Sequence, residues 1–240
     1  MSSLDYEIEL GETERAMVDT VHRFAEEVMR PVGQELDRMQ DPQKTIDEGS
    51  IVWDAMAKYR ELAIDTLSTG DTDMTPIERA RLNAIISEEL GWGDAGLALT
   101  LTTQGGGLVS WLANMSGHEE LIKRFGGSNP EEIGCWAITE PDHGSDTLAM
   151  NQPHFNDPGV RANCIATKDG DEYVIRGQKS SWVSAAPIAT VMALYCTIEG
   201  DRGFEGGGVA VVPLDLPGIS KGKPLNKIGQ RSMPQGEVFF

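Results

Sequence analysis

Residues 135–146 read Cys-Trp-Ala-Ile-Thr-Glu-Pro-Asp-His-Gly-Ser-Asp. The apolar run from Ile133 to Thr139 predicts a strand that leaves through a Thr-Glu-Pro turn and then a Gly-Ser-Asp turn. Such a strand exit frees backbone N–H groups, adds the hydroxyls of Thr139 and Ser145, and offers the indole of Trp136 as a platform. Those groups suit a planar polar ring and a phosphate-bearing ligand. The same residue types also make an ordinary structural turn with capping hydroxyls, and on residue chemistry alone that plainer reading is the stronger one. Glu140 lies inside the segment, but a turn glutamate beside proline is more often structural than a proton carrier.

Other chemistry-bearing groups are sparse. Cys135, Cys164 and Cys196 are an odd number, widely spaced and without a Cys-x-x-Cys pair. That argues against a disulfide framework or structural zinc and for reduced cytoplasmic thiols. His22, His118, His143 and His154 have no His-Glu-x-x-His or other ligand spacing, so no metal site is expected. Gln104-Gly105-Gly106-Gly107 lacks the preceding strand and the spacing of a nucleotide fingerprint, and reads as a loop between helices. Lys221, Lys223, Lys227 and Arg231 fall within eleven residues that contain no acid. They are candidates for holding phosphates or a partner's acidic face, against the plainer reading of a solvated loop.

These residues belong to a chain of 240 with 38 acids and 20 bases, a net charge of −18. With 40 % hydrophobic residues it can bury a core, which argues against a disordered chain. So few bases argue against a general nucleic-acid binder. No apolar run approaches the ~20 residues that span a bilayer. Met1-Ser2-Ser3-Leu4-Asp5-Tyr6-Glu7 has neither a basic nor an apolar signal region, so a secretory leader is not expected and a cytoplasmic location is.

The elements that must position the chemistry change character near residue 131. Residues 1–131 hold 25 acids and 11 bases, and residues 132–240 hold 13 and 9. In the first part Val21, Phe24, Ala25, Val28, Met29, Val32 and Leu36 recur at helical steps between Glu12 and Met39, with Pro31 expected to kink or split the helix. Ile51 to Tyr59 predicts a second helix. Thr75-Pro76-Ile77-Glu78 is a capping box opening a helix expected to stop at Gly91. Ser116-Gly117-His118-Glu119 repeats the cap pattern before a helix ending at Gly126, and so does Asn129-Pro130-Glu131-Glu132.

The second part predicts strands at 163–167 and 172–176 around an Asp169-Gly170 hairpin signal, then at 181–184, 191–197 and 208–214. No helix of normal length fits between them, which predicts an antiparallel sheet, closed or sandwiched. The expected fold is therefore α+β and multidomain. A helical domain at 1–131 precedes an antiparallel β-barrel or sandwich domain at 132–240. Gly236-Glu237-Val238-Phe239-Phe240 reads as a strand just begun, so either something follows in the complete protein or a partner covers this edge.

The 135–146 segment resembles the Thr-Glu-Pro-x-x-Gly-Ser-Asp signature of the acyl-CoA dehydrogenase family of flavoproteins. Further matches follow in order. Gly177-Gln178-Lys179 with Trp182-Val183-Ser184 resembles the family's Gly-x-Lys-x-Trp-Ile-Thr/Ser strand. Pro217-Gly218-Ile219, then Lys227-Ile228-Gly229-Gln230-Arg231, then Glu237-Val238-Phe239, resemble the end of its middle β-domain. The helical part resembles the family's N-terminal domain, so the resemblance covers nearly the whole chain.

The resemblance implies FAD as cofactor. It places Trp136, Ala137, Ile138 and Thr139 against the flavin ring. Gly144 and Ser145 would lie on the flavin side, with Ser145 also touching substrate. Trp182 and Val183 would pack beside the isoalloxazine, with Ser184 donating to the flavin's reactive nitrogen. A donor there stabilises charge that builds as hydride arrives. One departure is visible: Ser180 and Ser181 stand where the family usually has a single residue, and a small bulge would absorb the extra one.

The implied reaction is α,β-dehydrogenation of an acyl-CoA thioester, in fatty acid or lipid metabolism, with electrons leaving to an electron-transfer flavoprotein. The family's glutamate base stands in a third, helical domain expected beyond Phe240, so no acid of this chain is assigned as catalytic. Full-length members are usually homotetramers. By the same resemblance, Gly105–Gly107 lie near the acyl pocket, where they would leave room for a bulky acyl group. Alternative readings are a partial or non-catalytic flavin- or acyl-CoA-binding subunit of a heteromeric complex, and a flavin-dependent oxidase or monooxygenase of the same fold.

Overall fold

The computed structural model describes residues 10–64, 74–127, 129–149, 151–198, 200 and 202–240. The N-terminal residues read above for a secretory leader lie outside them. Helices come first: α1 (Glu12–Phe24), α2 (Arg30–Arg38), α3 (Ile51–Glu61), α4 (Pro76–Gly93), α5 (Ala95–Leu101), α6 (Gly107–Ser116) and α7 (Glu119–Phe125). Strands follow: β1 (Gly134–Ala137), β2 (Ile165–Asp169), β3 (Glu172–Arg176), β4 (Gln178–Ser184), β5 (Val191–Thr197), β6 (Gly207–Pro213), β7 (Ser220–Lys221) and β8 (Gln235–Phe239). Packing groups them into two compact units. One comprises Met1–Leu101 with Lys227–Met233, and the other Thr102–Asn226 with Pro234–Phe240.

In the first unit α1 and α2 form one run, joined by a π-helical turn at Ala25–Met29. Pro31 has no N–H to offer, and the Arg30 N–H reaches back five residues to the Ala25 carbonyl. The widened turn absorbs the proline, so the helix is not split. Its buried side is Val21, Phe24, Ala25, Met29 and Leu36, as the helical repeat predicts. α4 opens with the expected box: Thr75 N–H donates to Glu78 Oε2 at 2.8 Å, and Glu78 N–H to Thr75 Oγ1 at 3.3 Å. It passes Gly91 and ends at Gly93, because Asp94 then caps α5 by accepting from Leu97 N–H at 2.7 Å. Asp94 Oδ1 also accepts from Ser232 Oγ at 2.6 Å, so the returning segment Lys227–Met233 completes this unit. Arg81 on α4 joins Glu14 on α1 at 2.5 Å.

The second unit carries two sheets. In the first, β5 is the central strand: β6 pairs antiparallel along one edge, while β1 and the start of β2 lie along the other. This explains why β5 is apolar and buried at nearly every position. β2 and β3 form a hairpin turning at Gly170-Asp171, one residue beyond the Asp-Gly signal, with Gly170 at φ 63°. In the second sheet β8 lies between β4 and β7. α6 and α7 cover one side of the first sheet through Val109, Ala113 and Phe125 against Val191 and Ala193.

The helical part and the two-sheet sandwich match the α+β expectation. The sheet is not a closed barrel, and its first ladder is mixed, because β1 and β2 run parallel to β5. A parallel pair needs a crossover of a dozen residues or so, and the chain returning to β5 through β3 and β4 supplies that length without a full helix. Among the described residues no helix is long and apolar enough to cross a membrane.

Candidate functional site

β1 delivers the first group of residues. Its register against β5 is Trp136 opposite Ala193 and Ala137 opposite Leu194. Period-two alternation buries Ala137 and leaves Trp136 47 % exposed, with its ring 6.1 Å from that of Tyr195. Ile138 and Thr139 lie just past the strand, half-buried. The Thr139 carbonyl accepts the Ser180 N–H at 3.0 Å. Among the described residues, the amide and hydroxyl of Thr139 and the hydroxyl of Ser145 make no hydrogen bond. These are the free donors the sequence predicts at a strand exit.

The turn after Thr139 is closed from within. Glu140 N–H donates to the His143 carbonyl at 2.7 Å, and Gly144 N–H to Asp146 Oδ1 at 2.6 Å. His143 Nδ1 faces Asp146 Oδ2 at 2.9 Å, and its Nε2 faces the Arg161 carbonyl at 3.1 Å. The His143 contact chiefly, with the Gly144 amide, holds the Asp146 carboxyl below its ordinary value against the opposing effect of burial. Ser145 begins a short 3₁₀ segment and is exposed.

β4 delivers the second group. Trp182 is 56 % exposed, Val183 is buried, and Ser184 Oγ accepts from Gln235 Nε2 at 2.9 Å, leaving its own proton to donate. Lys179 pairs with Val238 and Val183 with Gly236, so Ser180, Ser181 and Trp182 bulge opposite Glu237 alone. The bulge expected from the extra serine is present. The Ser180–Ser181 peptide is cis. The Ser180–Thr139 bond makes the start of β4 a neighbour of the β1 exit, so the two groups share one region of this unit.

Between them lies a pair to which the sequence reading gives no binding role. Lys179 Nζ is 2.6 Å from Glu140 Oε1, and the two side chains are 0 % and 1 % exposed. Lys179 also donates to the Ile138 carbonyl at 3.1 Å. Glu140 accepts from the backbone N–H of Asn163 at 2.5 Å and of Cys164 at 2.9 Å. Glu140 is thus structural, as its place beside proline suggests. A lysine followed by alternating strand residues was the available signal for its partner. The pair borders a cavity of about 240 Å³ whose wall includes Tyr195, Cys196, Phe204 and Val209.

Other candidates resolve into structure. Lys221 donates to the Ala189 carbonyl at 3.0 Å, Lys227 to that of Met233 at 2.7 Å, and Arg231 to that of Lys227 at 2.8 Å. Three of the four basic residues therefore hold backbone. Gly105 N–H donates to the Glu132 carbonyl and Gly134 N–H to that of Thr103. A Cβ on Gly134 would lie 2.8 Å from the Gly106 carbonyl. The glycine run therefore permits close backbone approach here. The three cysteines are free and buried, and burial pushes Cys135 and Cys164 up to about 12. Among the described residues no cluster of metal-ligating side chains occurs.

Both parts of the chain match known family models. Residues 11–127 match "Acyl-CoA dehydrogenase, N-terminal domain" and residues 135–240 match "Acyl-CoA dehydrogenase, middle domain". Cyclohex-1-ene-1-carbonyl-CoA dehydrogenase of Syntrophus aciditrophicus (strain SB) is 32 % identical over 159 residues, which are 65 % of this chain and 35 % of that protein. The mitochondrial short-chain specific acyl-CoA dehydrogenase of Rattus norvegicus is 23 % identical over 241 aligned residues, covering 97 % of this chain and 52 % of that one. The structure of an acyl-CoA dehydrogenase complexed with FAD from Bacillus anthracis aligns with a TM-score of 0.72 at 20 % identity, over 97 % of this chain and 36 % of that chain. At that identity the likeness carries the fold alone. The chain spans about half or less of the length of these curated relatives.

Proposed function

The chain belongs to the acyl-CoA dehydrogenase family, and from that premise we propose that it supplies the flavin-holding part of an FAD-dependent acyl-CoA dehydrogenase. The observation that carries this reading is the Ser180–Thr139 bond, which brings unbonded donors and two exposed indoles onto neighbouring strands.

In this proposal the residues present fit a flavin. The Thr139 amide and hydroxyl bind the ring's polar edge, while Trp136, Ala137 and Ile138 line its approach. Trp182, backed by Val183, covers a face of the ring and keeps water from it. Ser184, held by Gln235, donates toward the reactive nitrogen. Gly144 and Ser145 close the flavin side, and the free Ser145 hydroxyl reaches substrate. Bound FAD would supply the hydride acceptor for α,β-dehydrogenation of an acyl-CoA thioester. No residue of this chain is assigned as base. The homotetramer and the electron-transfer flavoprotein as acceptor belong to the same proposal.

The test is anaerobic. The purified flavoprotein, together with the part that supplies the base, is mixed with an acyl-CoA, and bleaching of the flavin band is followed. Bleaching by acyl-CoA and slow reoxidation by oxygen, with fast reoxidation by electron-transfer flavoprotein, is the expected result. Fast reoxidation by oxygen alone would point to an oxidase, and no flavin uptake at all would refute the reading.

A further inference from the structure

Building on that flavin-site reading, we propose that the buried Lys179–Glu140 pair is a positioning device: it holds the strand exit bearing Trp136–Thr139 against the strand bearing Trp182–Ser184. Besides their own contact, the two side chains hold three backbone groups, so that three segments meet at the pair. Lys179, the second residue of β4, binds the Ile138 carbonyl beyond β1, while Glu140 binds the entry to β2 through the amides of Asn163 and Cys164.

Stability alone does not account for such a pair. Removing two charges from water costs most of what their attraction returns, and an apolar pair of like volume often serves as well. What the pair provides here is register. The ladder to β8 lapses between Lys179 and Val183, so β8 reaches Trp182 only through the Gln235 side chain, which donates to the Trp182 carbonyl at 3.3 Å. On the other side β4 is held at Lys179, by the ion pair and the Ile138 carbonyl, and at Ser180, by the Thr139 carbonyl. These anchors fall immediately before the bulge that carries the indole. Loss of the pair leaves β4 on its β8 ladder at Gln178–Lys179 and from Val183 onward, but joined to the β1 exit by the Ser180–Thr139 backbone bond alone.

The experiment uses Lys179→Met, Glu140→Gln and the double variant, which leaves no buried charge unpaired. Amide exchange at Ser180 reports the β4–β1 joint without flavin, and exchange at Leu194 in β5 reports the core. FAD affinity is measured in parallel, with Lys179→Arg as the conservative rescue. The expected result is exchange at Ser180 faster by about tenfold or more with Leu194 unchanged. FAD should bind about tenfold or more weakly, with partial recovery in Lys179→Arg. Equal loss of protection at both amides, or none at either, would overturn the proposal. Should a single variant fail to fold, the double variant decides by the same comparison. If the unaltered protein does not take up FAD, the flavin reading fails while the exchange comparison still judges the joint.

Discussion

The Ser180 N–H donates to the Thr139 carbonyl at 3.0 Å, and this one bond joins the strand exit after Trp136 to the strand that carries Trp182. Neither strand makes a site alone. The first offers unbonded donors at Thr139, and the second an exposed indole and a serine hydroxyl that Gln235 orients. In the proposed site, their junction would give a planar ring both an edge partner and a face partner.

Thr139→Ala tests the edge. Its hydroxyl holds nothing in the fold, so the melting temperature should stay put. Loss of one hydrogen bond to FAD is worth about 1–2 kcal/mol, or roughly 5- to 30-fold in affinity by flavin-fluorescence titration. An unchanged affinity would remove Thr139 from the site.

Glu14 tests the acid limb of stability. The Arg81 hydrogen bond first, then the Gly11 amide, holds its carboxyl below the ordinary 4.5. The folded value is lower than the unfolded one, so the stabilisation is complete above 4.5 and is lost as pH falls through the folded value. Arg81→Met should therefore be less stable than the unaltered protein at neutral pH, with the difference shrinking under acid. Urea melts at several pH values measure this, and a difference independent of pH would contradict it.

The thiols give a clean exposure test. With Cys135 and Cys164 pushed to about 12 and all three cysteines buried, the native protein at pH ~8 should hold a thiolate fraction of about one in ten thousand at those two. Ellman's reagent should find no fast thiol in the native state and three after denaturation. A fast native thiol would mean that the second unit opens readily.

Thr75→Ala tests the most legible local signal. The box is formed as its spacing predicts, and its loss should cost about 1 kcal/mol in chemical denaturation. No change would mean that packing along Leu82, Ile86 and Leu90 alone fixes α4.

Much of this was readable because it depends on neighbours in sequence. The Thr75–Glu78 box, the β2–β3 hairpin and the run of β5 all follow from short-range chemistry, and the bulge at Ser180–Ser181 followed from the family resemblance, as one residue more than its strand usually carries. What escaped depends on residues distant in sequence. Lys179 meets Glu140 across 39 positions, and Lys227 and Arg231 spend their charges on carbonyls, so a string of basic letters reads as a solvated patch when it is scaffolding. The parallel course of β1 and β2 beside β5 escaped because strand direction is set by the crossover and leaves no mark in the strands themselves. The π-turn before Pro31 escaped because proline marks a disturbance without saying which of several geometries absorbs it.

The most direct test of the central claim is a structure determined with FAD bound. The isoalloxazine is expected against Thr139, with the Trp182 indole on its face and Ser184 within hydrogen-bonding distance of the reactive nitrogen. A ring bound elsewhere on the chain, or one that leaves Thr139 and Trp182 untouched, would contradict the account.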